Sequence, residues 1–269
     1  MLLSISTANL YDLPFERVLS IYKQAGFDYI ELAGYWRGGE WAIAQHLKGY
    51  APRDVIRLVK EAGLTISTYH DMGGVVEAGA ESIVSDDTWE YLAHYDFPCL
   101  VFHTPHMKNA DEAWWQAYRQ RAIEDLRRVQ GKRERIVCIE NLPPLPPAYS
   151  DYFMPLTDPA DLFDFVNEAD IFLNLDTTHY AAGGIDISNA ARLFGKRVKT
   201  IHASDFQNGR QHVRLGEGDL DFASFFGALD YSELHAVCAE CAIAHDAADD
   251  SLAVESATKA RLFLESFLR

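Results

Sequence analysis

Short apolar runs alternate with amphipathic stretches along the whole chain. The runs are rich in valine, isoleucine, leucine and aromatic residues, and polar or glycine- and proline-bearing segments follow them, a pattern that predicts β-strands. The near-continuous apolar run that starts at Ile171 is typical of a strand buried on both faces, as in a parallel sheet. We predict eight strands: Leu2–Ser6, Tyr29–Leu32, Thr65–Tyr69, Cys99–His103, Ile136–Glu140, Ile171–Asp176, Val198–His202 and Leu234–Glu240.

Helices are predicted between these strands. Gly26 follows the stretch Phe15–Ala25 and Gly63 follows Arg53–Ala62, the position after a helix where glycine is favoured. Asp158 precedes a proline, which is the typical order of an N-cap and a first helical residue. The remaining predicted helices are Asp111–Val129, Phe222–Leu229 and Ser251–Leu268.

Eight strands alternating with about eight helices predict an α/β fold, a single (β/α)8 barrel that forms one domain over residues 1–269. A doubly wound sheet is the alternative. It has no natural place for eight strands at this spacing, and no glycine-rich phosphate-binding loop follows the first strand. No linker, repeat or low-complexity segment divides the chain.

Composition narrows the class of protein. The 269 residues are 48% apolar, which excludes a disordered or collagenous chain. Lysine and arginine number 24 against 40 acidic residues, and the net charge of −16 predicts neither a nucleic acid nor a membrane as partner. Four cysteines are too few for a disulfide scaffold and no apolar run approaches a membrane span, so we expect a cytoplasmic protein. A homo-oligomer is left open.

Imidazole and carboxylate side chains stand at the ends of the predicted strands three to eight. These ends converge on one face of a barrel, where active sites of this fold lie. Burying several imidazole and carboxylate groups together is costly unless a cation neutralises their charge. The pattern therefore predicts a divalent metal site. For any single histidine, a hydrogen bond that caps a strand is the alternative. The residues are His70, His103, Glu140, Asp176, His202 and Glu240, with His179 and His212 in the loops beyond.

Three segments also resemble a known family. Leu175–Asp186 resembles the sixth-strand motif of endonuclease IV, and Ile139-Glu140-Asn141 resembles its fifth-strand motif. His212–Asp219 resembles the His-x-x-x-Gly-Glu-Gly segment shared by that enzyme and by sugar isomerases and epimerases. Together the motifs resemble the xylose isomerase-like TIM-barrel superfamily, which includes AP endonuclease family 2, over almost the whole chain. They indicate the superfamily more strongly than the reaction.

The resemblance implies ligands for up to three metals. The central divalent cation (Mn, Zn, Co, Fe or Mg) would be held by Glu140, Asp176, His202 and Glu240. His70 and His103 match ligands of a second metal bridged by Glu140, and His179 and His212 match two ligands of a third. Endonuclease IV has an aspartate as the remaining ligand of that third metal, where this chain has Arg210. A cation in that position argues against the third metal.

Two further assignments concern the eighth strand. Glu255 is the rival of Glu240 as its ligand, but choosing Glu255 leaves Leu234–Ala239 without a role and shortens the last helix. We therefore interpret Glu255 as an exposed helix residue. Cys238 and Cys241 have the spacing of a redox or zinc pair, yet no second pair accompanies them, and we interpret both as buried small residues.

Aromatic and basic residues near the predicted barrel mouth are candidates for substrate binding, and so are His70 and His103 if they do not hold a second metal. Tyr35 and Trp36 follow the second strand, where they would stack on a sugar or a base or would pack within the loop. Arg210 and Arg214 would hold a phosphate or carboxylate, or would form salt bridges such as one to Glu217.

Three functions fit these residues. In the first, a sugar, sugar-phosphate or polyhydroxy isomerase or epimerase, Glu140 and Glu240 exchange protons next to a carbonyl through an enediolate that the cation stabilises. The second is an endonuclease IV-like phosphodiesterase, which His70, His103 and His179 favour and which Arg210 and the net charge oppose. The third is a non-catalytic metal- or ligand-binding barrel. We predict the first.

Overall fold

A computed structural model describes residues 1–37, 39–41, 44–73, 88, 91–92, 95–131, 135–143 and 151–268. Eight parallel strands form a closed barrel in which each strand pairs with its neighbours in sequence and β1 pairs with β8. This confirms the predicted (β/α)8 barrel. The strands are β1 Leu2–Ser6, β2 Tyr29–Gly34, β3 Thr65–Asp71, β4 Cys99–His103, β5 Ile136–Glu140, β6 Phe172–Asp176, β7 Val198–Ala203 and β8 Ala236–Ala239.

Helices lie between the strands along the chain. Asp158 caps α4 as predicted, because its carboxylate accepts a hydrogen bond of 2.8 Å from the backbone N–H of Ala160. The short helices α5 and α6, which the sequence did not predict, both lie between β6 and β7, and α5 follows β6 directly. The helices are α1 Phe15–Gln24, α2 Pro52–Glu61, α3 Glu112–Gly131, α4 Pro159–Ala169, α5 Thr177–Ala182, α6 Ile187–Phe194, α7 Phe222–Ala228 and α8 Ser251–Glu265.

Successive side chains of each strand point alternately outward, to the helices, and inward, to the inside of the barrel. In β6, Leu173 and Leu175 belong to the main hydrophobic core between barrel and helices, whereas Asn174 and Asp176 belong to the opposite, inward face. Inside the barrel, Val101 packs in a small separate cluster with Cys99 and Cys138. The inward residues nearest the carboxyl ends of the strands are the titratable ones, so the fold itself gathers them.

Three short two-stranded antiparallel sheets lie in the loops beyond the carboxyl ends of the strands. They pair Trp36–Arg37 with Glu40–Trp41, Met107–Lys108 with Tyr152–Phe153, and Asp205–Gln207 with Arg210–Val213. All four cysteines lie within the described residues and are buried without a disulfide, which confirms the interpretation of Cys238 and Cys241. Even α3, the longest described helix, carries charged residues along its length, and no described helix has the length and apolarity of a membrane span.

Candidate metal centre

The four residues predicted as central ligands meet at the carboxyl end of the barrel. Ligand atoms of Glu140, Asp176, His202 and Glu240 all lie within 4.8 Å of one another, and all four residues are buried. Glu140 ends β5, Asp176 ends β6, His202 lies in β7 and Glu240 follows β8 directly. The parallel closed barrel therefore brings together side chains that are far apart along the chain.

The two carboxylate oxygens of Asp176 have different roles. Oδ1 caps helix α5 by accepting hydrogen bonds of 2.8 Å from the backbone N–H groups of both Thr178 and His179. Oδ2 is buried and has no hydrogen-bond partner among the described residues. The helix cap therefore fixes the carboxylate and leaves its other oxygen for a ligand.

His202 lies at the centre of the arrangement, and its Nδ1 faces two carboxylates. That nitrogen is 2.9 Å from Glu140 Oε1 and 2.8 Å from Glu240 Oε2. Glu140 Oε2 lies 3.0 Å from His70 Nε2. The side chains of Glu140 and His202 are fully buried, so these charges interact without screening by bulk water.

The charges shift the pKa values of the cluster in opposite directions. Burial alone would raise the pKa of Glu140 and lower that of His202, but the pairing outweighs burial for both. The pKa of Glu140 is held well below its usual range by His202 and His70. The pKa of His202 is held well above its usual range by Glu240, Glu31 and Glu140. In the metal-free protein His202 therefore carries a proton at pH 7.

The donor set fits a divalent cation. Three carboxylates and one imidazole suit Mn, Zn, Fe or Co better than Ca, which takes oxygen ligands alone. Asp176 Oδ2 is a buried oxygen without a hydrogen-bond partner among the described residues, and a buried acceptor left unpaired is costly. A bound cation would supply the missing interaction for this oxygen.

Cation binding is expected to release protons. If the cation takes His202 Nδ1, the proton on that nitrogen must leave, so we expect about one proton released per ion at pH 7. Because the pKa of His202 is raised, affinity should increase with pH through neutrality, by about tenfold per pH unit for each proton released. Calorimetric titration of metal-free protein in two buffers of different ionisation enthalpy measures the number of protons released per ion. Binding with no proton release and no pH dependence would contradict this prediction.

The additional histidines form two further groups. His70, His103 and Glu140 present ligand atoms within 4.8 Å of one another, and the Nε2 atoms of His70 and His103 are 3.0 Å apart. Asp176, His179 and His212 form the other group, with the two imidazole rings 5.4 Å apart and nearly perpendicular.

Two of these histidines lie, as predicted, in the segments beyond the barrel strands, and each lies on a short element there. His179 lies on helix α5, because the Asp176 carboxylate nucleates that helix directly after β6. His212 lies on the short strand Arg210–Val213, with its Nδ1 3.1 Å from the backbone oxygen of Glu240. Both remain at the barrel mouth beside the central group.

Two buried residues of the centre were missed at the sequence level. Glu31 in β2 is 1% exposed, and its Oε2 lies 2.8 Å from His202 Nε2. Asn141 joins β5 to β6, because its side chain accepts from the Asp176 N–H at 2.8 Å and donates to the Asp176 carbonyl at 3.1 Å. Its carbonyl oxygen also lies 2.8 Å from His179 Nδ1. Asn141 follows Glu140 in a motif that could have drawn attention to it.

The residues predicted for substrate binding lie around this mouth. Tyr35 and Trp36 are half-buried after β2, and the Trp36 ring packs against Trp41 at a centroid distance of 5.2 Å. Arg210 and Arg214 are exposed, and the Arg214 guanidinium forms an ion pair of 2.9 Å with Glu217.

The rival of Glu240 does not belong to the central group of ligand atoms. Glu255 is an exposed residue of helix α8 and forms an ion pair of 2.7 Å with Lys259, one helical turn later. This confirms its interpretation as an exposed helix residue.

A buried carboxylate organises the segment that follows β7. Asp205 accepts backbone hydrogen bonds from Gly216, Gly218 and Leu220, at 2.9 to 3.1 Å. The segment containing Gly-Glu-Gly is thereby wrapped around one side chain. The motif recognised in the sequence is a backbone cradle for Asp205.

Gly218→Ala tests this cradle. An added Cβ would lie 2.3 Å from Asp205 Oδ1 and 2.7 Å from the Phe206 carbonyl, so the segment must move. We expect a loss of about 2–3 kcal/mol in the free energy of unfolding, measured by chemical denaturation. Gly227→Ala in α7 is the control, since nothing lies within 4 Å of its added Cβ and stability should stay equal or increase. Equal stability of both variants would contradict the cradle.

The sequence of this chain matches a known protein family. The sequence model of the family described as xylose isomerase-like TIM barrel matches residues 19–261. The chain belongs to this family. Within the xylose isomerase-like TIM barrels, the catalytic face lies at the carboxyl ends of the strands, where the cluster of Glu140 and His202 is found. Comparison with curated protein sequences gives no significant match.

Solved structures of sugar epimerases share the barrel over its full length. D-psicose 3-epimerase from Clostridium cellulolyticum H10 has a TM-score of 0.68 at 18% identity and covers 100% of both chains. D-allulose 3-epimerase from Methylomonas sp. has a TM-score of 0.70 at 16% identity, covering 99% of this chain and 96% of its own. 3-keto-D-glucoside 4-epimerase from E. coli has a TM-score of 0.67 at 15% identity, and 99% of both chains is covered. At these identities the likeness establishes the fold.

Proposed function

We propose that this protein is a divalent-metal-dependent epimerase or isomerase of a ketose or a related polyhydroxy compound. The observation that carries the proposal is the buried group of Glu140, Asp176, His202 and Glu240 at the catalytic face of a xylose isomerase-like barrel. The epimerases with the same fold act on sugars, as their names state, and this supports the substrate class.

The four residues would hold the cation, which when bound supplies Lewis-acid polarisation of a substrate carbonyl and stabilises negative charge on an enediolate. Glu140 and Glu240 reach the centre from two different strands, β5 and the end of β8, and lie 2.9 and 2.8 Å from His202 Nδ1. One carboxylate would remove the proton from the carbon next to the carbonyl. The other would first take up a proton from solvent and would then deliver it to that carbon, or to its neighbour, while the first carboxylate would release its proton to solvent.

The pKa values of both glutamates support a role as bases. Burial raises the pKa of Glu240, but His202 and His70 outweigh burial and hold the pKa below its usual value. The pKa of Glu140 is shifted in the same direction by the same two histidines, against burial. Both carboxylates are therefore ionised at neutral pH and ready to accept a proton.

The sequence that follows β3 and β5 offers no cation to hold a phosphate. Residues 74–90 and 144–150 contain no lysine or arginine. Of the two arginines predicted to hold an anion, Arg214 is engaged by Glu217. We therefore propose a free ketose ahead of a sugar phosphate, with Tyr35 and Trp36 on the rim as candidate stacking surfaces.

An endonuclease IV-like phosphodiesterase is the second candidate. The groups His70–His103–Glu140 and Asp176–His179–His212 favour it, because each could hold an additional cation. The net charge of −16 opposes it, since binding a DNA backbone requires several cationic contacts.

Hydrogen exchange at the substrate tests the proposal. Metal-free protein is loaded with Mn²⁺, Co²⁺ or Mg²⁺ and incubated in D₂O with D-fructose, D-tagatose, D-psicose and L-ribulose. We expect a new epimer or isomer by chromatography and deuterium next to the carbonyl by NMR, both lost in Glu140→Gln. Absence of exchange with every sugar, together with metal-dependent incision of an abasic DNA duplex that Glu140→Gln abolishes, would replace the first function with the second.

A further inference from the structure

Glu31 is a buried carboxylate outside the four proposed ligands. It lies in β2 between Ile30 and Leu32, both fully buried, and is itself 1% exposed. Removing a carboxylate from water costs several kcal/mol unless the charge is paired. The partners that the structure gives this carboxylate are two histidine rings, His202 and His70.

The contact with His202 involves the ring nitrogen that the proposed ligands do not use. Glu31 Oε2 lies 2.8 Å from His202 Nε2, while Nδ1 of the same ring faces Glu140 and Glu240. A carboxylate accepts hydrogen bonds and cannot donate one when ionised, so it requires an N–H at Nε2. The neutral ring that binds a cation then carries its proton on Nε2 and its lone pair on Nδ1.

A longer contact, beyond ordinary hydrogen-bond distance, joins the other oxygen to His70. Glu31 Oε1 lies 3.5 Å from His70 Nδ1, and the opposite nitrogen, Nε2, lies 3.0 Å from Glu140 Oε2. One carboxylate therefore stands behind two imidazoles, and each ring presents its other nitrogen to Glu140.

We propose that Glu31 is a positioning residue that fixes the ring orientation and the tautomer of His202, and supports His70, from behind the metal centre. Metal-binding histidines generally donate their second N–H to a carboxylate, carbonyl or water, and loss of that partner weakens metal binding. This inference rests on the proposed metal centre but makes a separate statement about a residue that does not touch the cation.

The alternative is that Glu31 is itself a ligand. Glu31, His70, His202 and Glu240 also present ligand atoms within 4.8 Å of one another. Glu31 faces Nε2 of His202 whereas Glu140 and Glu240 face Nδ1, so His202 could serve both groups only by binding a cation at each ring nitrogen as an imidazolate. The geometry therefore favours positioning, and the number of bound ions separates the two roles.

Three variants test the assignment: Glu31→Ala, Glu31→Gln and, as control, the exposed Glu255→Gln. Binding of Mn²⁺ and Co²⁺ is measured by calorimetry, and the histidine N–H resonances of ¹⁵N-histidine-labelled protein are measured by NMR after loading with Zn²⁺. For Glu31→Ala we expect the dissociation constant to rise roughly 10- to 100-fold with the number of ions unchanged, and the Nε2–H resonance of His202 to be lost. Glu31→Gln keeps an acceptor, so it should recover most of the affinity.

If Glu31→Ala does not fold, the Nε2–H resonance of His202 in Glu31→Gln still tests the proposal. That resonance should persist but move upfield, because a neutral amide is a weaker acceptor than a carboxylate. An unmoved resonance, or unchanged affinity in Glu31→Ala, would refute the positioning role, and the loss of one bound ion would make Glu31 a ligand. If the wild-type protein binds no divalent cation, the proposed metal centre fails instead.

Discussion

The double variant Asp176→Ala/His202→Ala is expected to lose divalent-cation binding, with the dissociation constant raised at least about 10³-fold. It removes the unpartnered Asp176 Oδ2 and the His202 Nδ1 that faces two carboxylates. Metal content per chain and the cation-induced rise in melting temperature measure the effect. A cation at about 100 times its dissociation constant stabilises the wild type by about 2.7 kcal/mol, and this increment should vanish.

Asp176→Ala also removes a helix cap, so the control must remove a cap elsewhere. Asp186 caps α6 through backbone N–H groups of Ser188 and Asn189 at 2.8 and 3.0 Å, as Asp176 caps α5. Asp186→Ala/His245→Ala should lose stability while keeping the cation-induced rise in melting temperature. If the double variant at positions 176 and 202 retained full metal content and wild-type stability, the site would be wrong.

Glu240→Gln is expected to lower kcat/KM for the best ketose by about 10²- to 10⁴-fold, the range in which a positioned acid or base contributes. The change keeps the shape of the side chain but removes the negative charge 2.8 Å from His202 Nδ1. Metal affinity should fall with it, because an amide is a weaker ligand than a carboxylate. Steady-state kinetics at saturating Mn²⁺ and a metal titration separate the two losses.

Glu255→Gln is the matched control for that prediction. Glu255 is exposed on α8, where its ion pair with Lys259 is open to solvent, so activity and metal affinity should remain near wild-type values. The opposite ranking of the two variants would overturn Glu240 as the ligand that follows β8.

The strands were predictable because local composition determines them. Each barrel strand is a short apolar run, and the predicted and observed bounds of β1, β4 and β5 are identical. Helices with a cap or stop signal, such as α4 after Asp158, were predictable for the same reason. Helix α5 was not, since its six residues are too few for a periodic pattern and its N-cap is Asp176, assigned to the metal.

The candidate site was predictable where a titratable residue ends a strand. Glu31 was not predicted as part of the site because it lies inside β2, three residues before the strand ends at Gly34. Its place in the barrel depends on a register shift against β3, where Ile30 pairs with Ile66 but Glu31 pairs with Thr68. A β-bulge of this kind arises from pairing between strands and leaves no pattern within one of them.

The pairing of β1 with β8 has a consequence for the order of folding. Leu2 pairs with Ala236, so the barrel closes through a contact between residues from opposite ends of the sequence, which is slow to form. Glu240 follows β8 and donates its backbone N–H to Ala203 in β7, so the proposed four-ligand centre is complete only after the last strand of the barrel has joined the sheet. A cation that requires all four ligands then acts after the folding barrier. It should prolong the lifetime of the native state by slowing unfolding, without making refolding faster.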